Sequence, residues 1–269
     1  MPADPTARPL VIHMGLQKTA TTSLHHFLRL NRDALAGRLD LVTPRKKTIG
    51  RALGRTAMAF SLSPDAAHRA AFTDTVLRLR DGLLRGHLPC LVSHENLAGA
   101  MPGNSGVTAL YPRLEAILDL LEAHLDPLRP AYVIYTREMQ AWKRSVYNQA
   151  VRSDRYGGEE AAFLRETAQC GSWADLQTRL DRHLGPGRIT FLRLEDETTP
   201  AYPGSQLLAL AGLSPTEIAA LAPLPGQRNP GLNAGALELV RRINTQNLPR
   251  PMRRRFVQLI RANQPLFRD

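Results

Sequence analysis

The chain contains only two cysteines, Cys90 and Cys170, in 269 residues. Two distant thiols offer neither a disulfide framework nor a paired-cysteine metal or redox spacing. Cys90 lies in an apolar segment and reads as a small core residue. Lysine is scarce as well. Lys18, Lys46, Lys47 and Lys143 are the whole set, so arginine carries nearly all of the formal charge of +11. Aromatic residues make up only 6 %, and the arginines are scattered along the chain. That argues against a nucleic-acid face, which needs clustered basic groups interleaved with stacking rings. One late cluster, Arg250, Arg253, Arg254 and Arg255, reads as a solvated helix face. No stretch approaches the roughly 20 apolar residues of a membrane span, and Met1–Pro9 has no apolar leader segment. These absences lead us to expect a soluble, cytoplasmic protein whose residues 1–8 are flexible.

What the chain does have is alternation. Short apolar runs near Pro9–Met14, Leu39–Thr43, Leu88–Ser93, Ala131–Thr136 and Arg188–Leu194 are separated by helical patterns, the signature of a parallel sheet. Helices are expected over Ala20–Leu35, Pro64–Arg85, Pro112–His124, Met139–Arg155, Glu159–Thr167 and Ser172–His183. The last third reads as helical over Gly204–Ala211, Pro215–Leu221, Ala234–Asn244 and Met252–Ala262. There is no internal repeat, low-complexity tract or clear linker, so a single domain over 1–269 is expected, large enough for one substantial core. The fold class is α/β: a P-loop-like three-layer domain with a central parallel sheet of about five strands flanked by helices.

In such folds ligands bind beyond the carboxyl ends of the strands. After the first strand comes Gly15-Leu16-Gln17-Lys18-Thr19-Ala20-Thr21-Thr22-Ser23, then a helical pattern. A strand turning directly into a helix N-terminus presents backbone N–H groups and the positive end of the helix dipole to an anion. This loop adds a lysine and four hydroxyls. It is not a Walker A loop, because Lys18 follows Gly15 by three residues and no glycine stands directly before it. After the third strand comes Ser93-His94-Glu95-Asn96. After the fourth come Arg137 and, eight residues on, Ser145.

The segment Gln17-Lys18-Thr19-Ala20-Thr21-Thr22-Ser23 resembles the 5′-phosphosulfate loop of sulfotransferases that use 3′-phosphoadenosine 5′-phosphosulfate (PAPS). That loop reads roughly Pro-Lys-Thr-Gly-Thr-Thr-Ser, so Gln17 stands for the usual proline and Ala20 for the usual glycine. Ala20 removes one permissive backbone position. Arg137 and Ser145 have the spacing of the same family's 3′-phosphate site, where a guanidinium pairs with the phosphate and a helix hydroxyl adds a donor. Met139 stands where the family usually has proline. Phe191–Asp196 is similar to a strand end common in the family, and Gln227-Arg228-Asn229 is the candidate for its late basic loop over the 3′-phosphate.

The resemblance implies transfer of a sulfuryl group from PAPS to a hydroxyl or amine of a small molecule, saccharide or lipid, releasing 3′-phosphoadenosine 5′-phosphate (PAP), with no metal. Lys18 would stabilise the leaving phosphate. The backbone N–H groups of Thr19 to Thr22 would hold the 5′-phosphate, and Ser145 would restrain Lys18 until the acceptor arrives. Adjacent strand-end residues point to opposite sides, so only one of His94 and Glu95 would face the acceptor; the resemblance implies Glu95 as the base, since carbohydrate and protein sulfotransferases commonly use Glu, with His94 the runner-up. His25 and His26 read as solvent-exposed helix residues and His13 as a satisfied strand residue. Thr48–Arg69, Gly99–Tyr111 and Arg152–Cys170, helical or loop insertions, would shape the acceptor pocket. Two alternatives stay open. One is a nucleotide kinase or NTPase, disfavoured by the lysine register and the lack of a carboxylate at the Walker B position. The other is a sulfotransferase-like protein that binds nucleotide without catalysis. Neither the acceptor nor the oligomeric state is legible.

Overall fold

The computed structural model describes residues 8–197, 199–226 and 231–267. In chain order the main elements are β1 (Leu10–Met14), α1 (Thr21–Leu30), α2 (Arg32–Leu35), β2 (Asp40–Val42), α3 (Ile49–Leu62), α4 (Ala66–Leu84), β3 (Cys90–His94), α5 (Leu114–Leu125), β4 (Ala131–Thr136), α6 (Met139–Ser153), α7 (Glu160–Glu166), α8 (Trp173–Leu184), β5 (Ile189–Arg193), α9 (Ser205–Leu210), α10 (Pro215–Ala219), α11 (Ala234–Asn244) and α12 (Arg250–Ala262). The chain divides into two compact units. One comprises the described residues up to Ala100 with Tyr111–Arg137 and Trp173–Gly226, the other Met101–Leu110, Glu138–Ser172 and the described residues from 231 onward.

The first unit is a three-layer α/β structure. Its five strands lie in the order β2-β3-β1-β4-β5, each paired in parallel with its neighbour. β1 and β3 are buried along their whole length, as expected of near-continuous apolar strands covered on both faces. Side chains alternate across the sheet. Val11, Leu91, Val133 and Tyr135 join a core with Leu24, Phe27 and Leu28 of α1 and Leu207 and Leu208 of α9. The opposite face meets α3, which packs on β3 and on α4. Gly50 and Gly54 let α3 come close. A Cβ on Gly50 would stand 2.3 Å from the Thr43 carbonyl oxygen. β1 leads the chain towards β2 on one side of the sheet and β4 leads it towards β5 on the other. The crevice where the connections diverge therefore opens at the carboxyl end of β1.

All five expected strands are present. The helix expected over Ala20–Leu35 is instead two, α1 and α2, separated at Asn31. The Asn31 amide donates to the Phe27 and Ala222 carbonyls at 3.1 and 3.0 Å and accepts from the Ala222 N–H at 2.7 Å. A side chain that bonds backbone groups in this way competes with the helical ladder. Among the described residues no helix is long and apolar enough to cross a membrane.

In the second unit α6 packs against α11, and α11 against α12. Glu138 caps α6 by accepting from the N–H groups of Gln140 and Ala141 at 2.8 and 2.6 Å, a favourable place for a carboxylate. The late arginine cluster is not wholly solvated. Arg253 is buried and donates to the carbonyls of Val151 and Arg152 and to the Asn244 side chain. An arginine that bonds two carbonyls and a side chain in this way is a structural cross-link, whatever its neighbours in sequence suggest.

Candidate functional site

The loop after β1 turns through two non-glycine residues with positive φ, Lys18 at 71° and Ala20 at 62°. Ala20 is the N-cap of α1 in a left-handed conformation. It holds by itself the shape for which glycine is usually used, at a cost of roughly 1–2 kcal/mol. Among the described residues no side chain caps α1, and its first turn carries no acidic residue. The helix therefore starts with uncapped amide groups and an unneutralised dipole, the two requirements of an anion site.

The side chains of the loop divide their tasks. Thr19 is buried and its hydroxyl donates to the Leu16 carbonyl at 2.7 Å, closing the turn. Thr21 leans towards the same carbonyl at 3.5 Å. Thr22 is exposed and Ser23 partly so. Gln17 braces the loop from below. Its amide nitrogen donates to Asn96 Oδ1 at 3.3 Å and to the Gly99 carbonyl at 3.0 Å, while its oxygen accepts from the Tyr111 hydroxyl at 3.0 Å. A hydrogen-bonded glutamine thus supplies a rigidity that a proline would supply by its ring.

The end of β3 stands beside this loop. The Gly15 N–H donates to the His94 carbonyl at 3.1 Å, and a Cβ on Gly15 would lie 3.0 Å from Glu95 Cα. Ser93 and His94 face opposite sides, as strand alternation requires. Ser93 meets α1 through His25, Nε2 to Oγ 2.9 Å. The His94 ring packs against α3 where Gly54 leaves room, for a Cβ there would stand 2.1 Å from His94 Cε1. His94 Nδ1 accepts from the Asn96 N–H at 3.0 Å. That bond fixes the remaining ring proton on Nε2. Burial, with help from the Arg51 charge, pushes its pKa down to about 4. The basic lone pair of this neutral imidazole is thus engaged by the backbone.

Glu95 is different. Its side chain is 40 % exposed, so the carboxylate reaches the surface of the crevice. Its Oε2 is buried without a hydrogen-bond partner among the described residues, 3.6 Å from Nδ1 of both His25 and His94. His25 corrects the sequence reading: its side chain is only 15 % exposed, and burial pushes its pKa down to about 4 against the attraction of Glu95. Its burial was signalled by position, since it lies one turn after buried Thr21 and three residues before buried Leu28. His26 pairs with Arg29 on the helix surface at 2.7 Å. His13 is fully buried and its Nδ1 meets Ser93 Oγ at 2.9 Å. The sequence reading of a satisfied strand residue fails here too, because His13 Nε2 has no partner among the described residues. Burial, with His25 beside it, pushes its pKa down to about 3.

The structure thus brings Gln17 to Ser23, His94 and Glu95 together at one sheet edge. Arg137 directly follows β4, and its carbonyl accepts from the Trp173 indole at 2.6 Å. Ser145 lies on α6 in the second unit, beside Lys143, which donates to the Thr167 carbonyl at 3.2 Å. Arg228 lies outside the described residues. Sequence reasoning gave Ser93, Tyr111 and Gly54 no individual role, because each acts through a contact made by distant chain. Compared with known proteins, the chain matches no protein-family model, no curated protein and no solved structure.

Proposed function

We propose that this chain is a sulfotransferase that moves a sulfuryl group from PAPS to a hydroxyl or amine of a small molecule, saccharide or lipid. The observation that carries the reading is the pairing at one sheet edge: an uncapped helix N-terminus with Lys18 in its loop, and a carboxylate, Glu95, whose backbone touches that loop. The first group suits an anionic donor and the second suits the removal of an acceptor proton.

The residues present fit such a donor. The amide groups at the start of α1 hold the 5′-phosphate, and Lys18 offsets the negative charge that grows on the leaving phosphate. A preorganised donor of this kind contributes about 2.7–4 kcal/mol to a barrier. Glu95 takes the acceptor proton, a role that contributes roughly 10²–10⁴-fold. Arg137, directly after β4, is the candidate for the 3′-phosphate. When bound, PAPS supplies an activated sulfuryl group, and the protein contributes position and charge.

The test is ligand-dependent stability together with turnover. PAP at 100 times its Kd should stabilise the protein by about 2.7 kcal/mol, and Lys18→Ala and Arg137→Ala should each reduce the shift. Stabilisation by ATP with Mg²⁺ and none by PAP would refute the proposal in favour of a nucleotide kinase.

A further inference from the structure

Ser93 Oγ lies 2.9 Å from His13 Nδ1 and 2.9 Å from His25 Nε2. Both imidazoles are held neutral by burial. A serine hydroxyl has one proton to give. It donates to one ring and accepts from the other, so the three groups form a chain with a direction. Two orders are possible. In one, His13 Nδ1–H donates to Ser93, Ser93 donates to His25 Nε2, and His25 carries its proton on Nδ1, towards Glu95 Oε2 at 3.6 Å. In the other every bond is reversed, and the bare Nδ1 of His25 faces the carboxylate. Each ring holds one proton in both orders, so no proton is gained or lost between them.

The surroundings choose between the two. Facing His25 are Glu95, His94, His26 and the backbone of Ser93. His94 Nδ1 turns its lone pair to the Asn96 N–H and offers Glu95 nothing. Glu95 Oε2 is buried and lacks a donor; at 3.6 Å it is beyond hydrogen-bond distance, but its negative charge attracts the positive end of an Nδ1–H dipole and repels a bare nitrogen lone pair. The first order follows. It leaves His13 Nε2 as a buried bare acceptor, on a residue that lines a small cleft with Thr19 and Ala20 of the loop and with Tyr135 and Glu197. The free space there is about 20 Å³, room for a hydrogen-bond donor the size of one water.

We infer that His25 is a positioning residue for Glu95, and that a relay through Ser93 to His13 sets its tautomer from the cleft beside the loop. The role of Glu95 as base rests on the proposed function; the relay itself does not. A donor on His13 Nε2 locks the first order and so presents an N–H to the carboxylate. The arrangement therefore ties the state of the candidate base to the contents of the cleft.

The test reads the tautomers of His13 and His25 from imidazole ¹⁵N shifts of the labelled full chain at neutral pH, in wild type, Glu95→Ala and Ser93→Ala. The wild type should carry both protons on Nδ1. Glu95→Ala should move the His25 proton to Nε2, with His13 reversing in step, and Ser93→Ala should leave the two rings independent. A wild-type His25 protonated on Nε2, or a His13 that ignores Glu95→Ala, overturns the relay. In turnover of PAPS, His25→Phe, which removes the Nδ1 facing Glu95, should lower kcat on the order of 10²-fold, the effect of a misplaced reacting group, with KM for PAPS unchanged. An unchanged kcat overturns the positioning role. A wild type that turns over no PAPS overturns the proposed function, and the tautomers still decide the relay.

Discussion

Replacing Ala20 with glycine should make the protein more stable, the reverse of the usual effect of that change. Ala20 sits at φ 62°, ψ 16°, where a residue with a Cβ is disfavoured by roughly 1–2 kcal/mol. Glycine removes that cost but gives the unfolded chain more freedom, worth about 0.5–1 kcal/mol. Ala20 is exposed, so the lost methyl group removes little burial. The balance is a gain of about 0.5–1 kcal/mol, or roughly 2 °C in the unfolding midpoint of a chain of this size. Urea titration of wild type, Ala20→Gly and Ala70→Gly provides the assay. Ala70 is exposed within α4, where the same substitution should cost about 1 kcal/mol. The two variants should therefore move in opposite directions. If Ala20→Gly destabilises as much as Ala70→Gly, the loop does not hold its left-handed turn, and the account of its anion-binding shape fails with it.

Other perturbations read the surroundings. Gly54→Ala would place a Cβ 2.1 Å from the His94 ring; overpacking of this kind should cost about 1–3 kcal/mol in denaturant titration. Asn31→Ala leaves the Ala222 N–H and carbonyl without their side-chain partner and should cost about 1–3 kcal/mol, measured in the same way. His13, His25 and His94 have folded pKa values depressed to about 3, 4 and 4, below an unfolded value near 6.5. Between these limits the unfolded chain binds protons that the folded chain refuses, so stability should fall as pH drops from about 6.5 towards 4. The approach to three protons taken up on unfolding would appear as a steepening pH dependence of the urea midpoint, and a flat profile over that range would refute the burial of these rings.

The strand positions were legible because a sheet covered on both faces needs apolar runs along its strands, and these can be counted in the sequence. The loop was legible because Lys18 and its hydroxyls follow the first of those runs and precede a helical pattern. Glu95 could be singled out by its place after β3, although its relation to His94 could not. Strand alternation separates Ser93 from His94, but only the fold shows that α1 covers one side and α3 the other. The break at Asn31 was hidden for a similar reason, since its partner, Ala222, lies far along the chain. Arg253 looked like its solvated neighbours until the carbonyls of Val151 and Arg152 were brought to it.

The sequence by itself determined the five strands and their order along the chain, the anion-suited loop and the identity of the carboxylate beside it, because these depend on periodicity and on near neighbours; it did not show α3 as a helix or the division of α1 from α2. Tertiary structure decided which histidines are buried, which nitrogen of each is engaged, and that Gln17 braces the loop through Asn96, Gly99 and Tyr111. Those properties depend on hydrogen-bond partners dozens of residues away. Local sequence patterns do not encode such partners; the packing of α1 and α3 against β3 does.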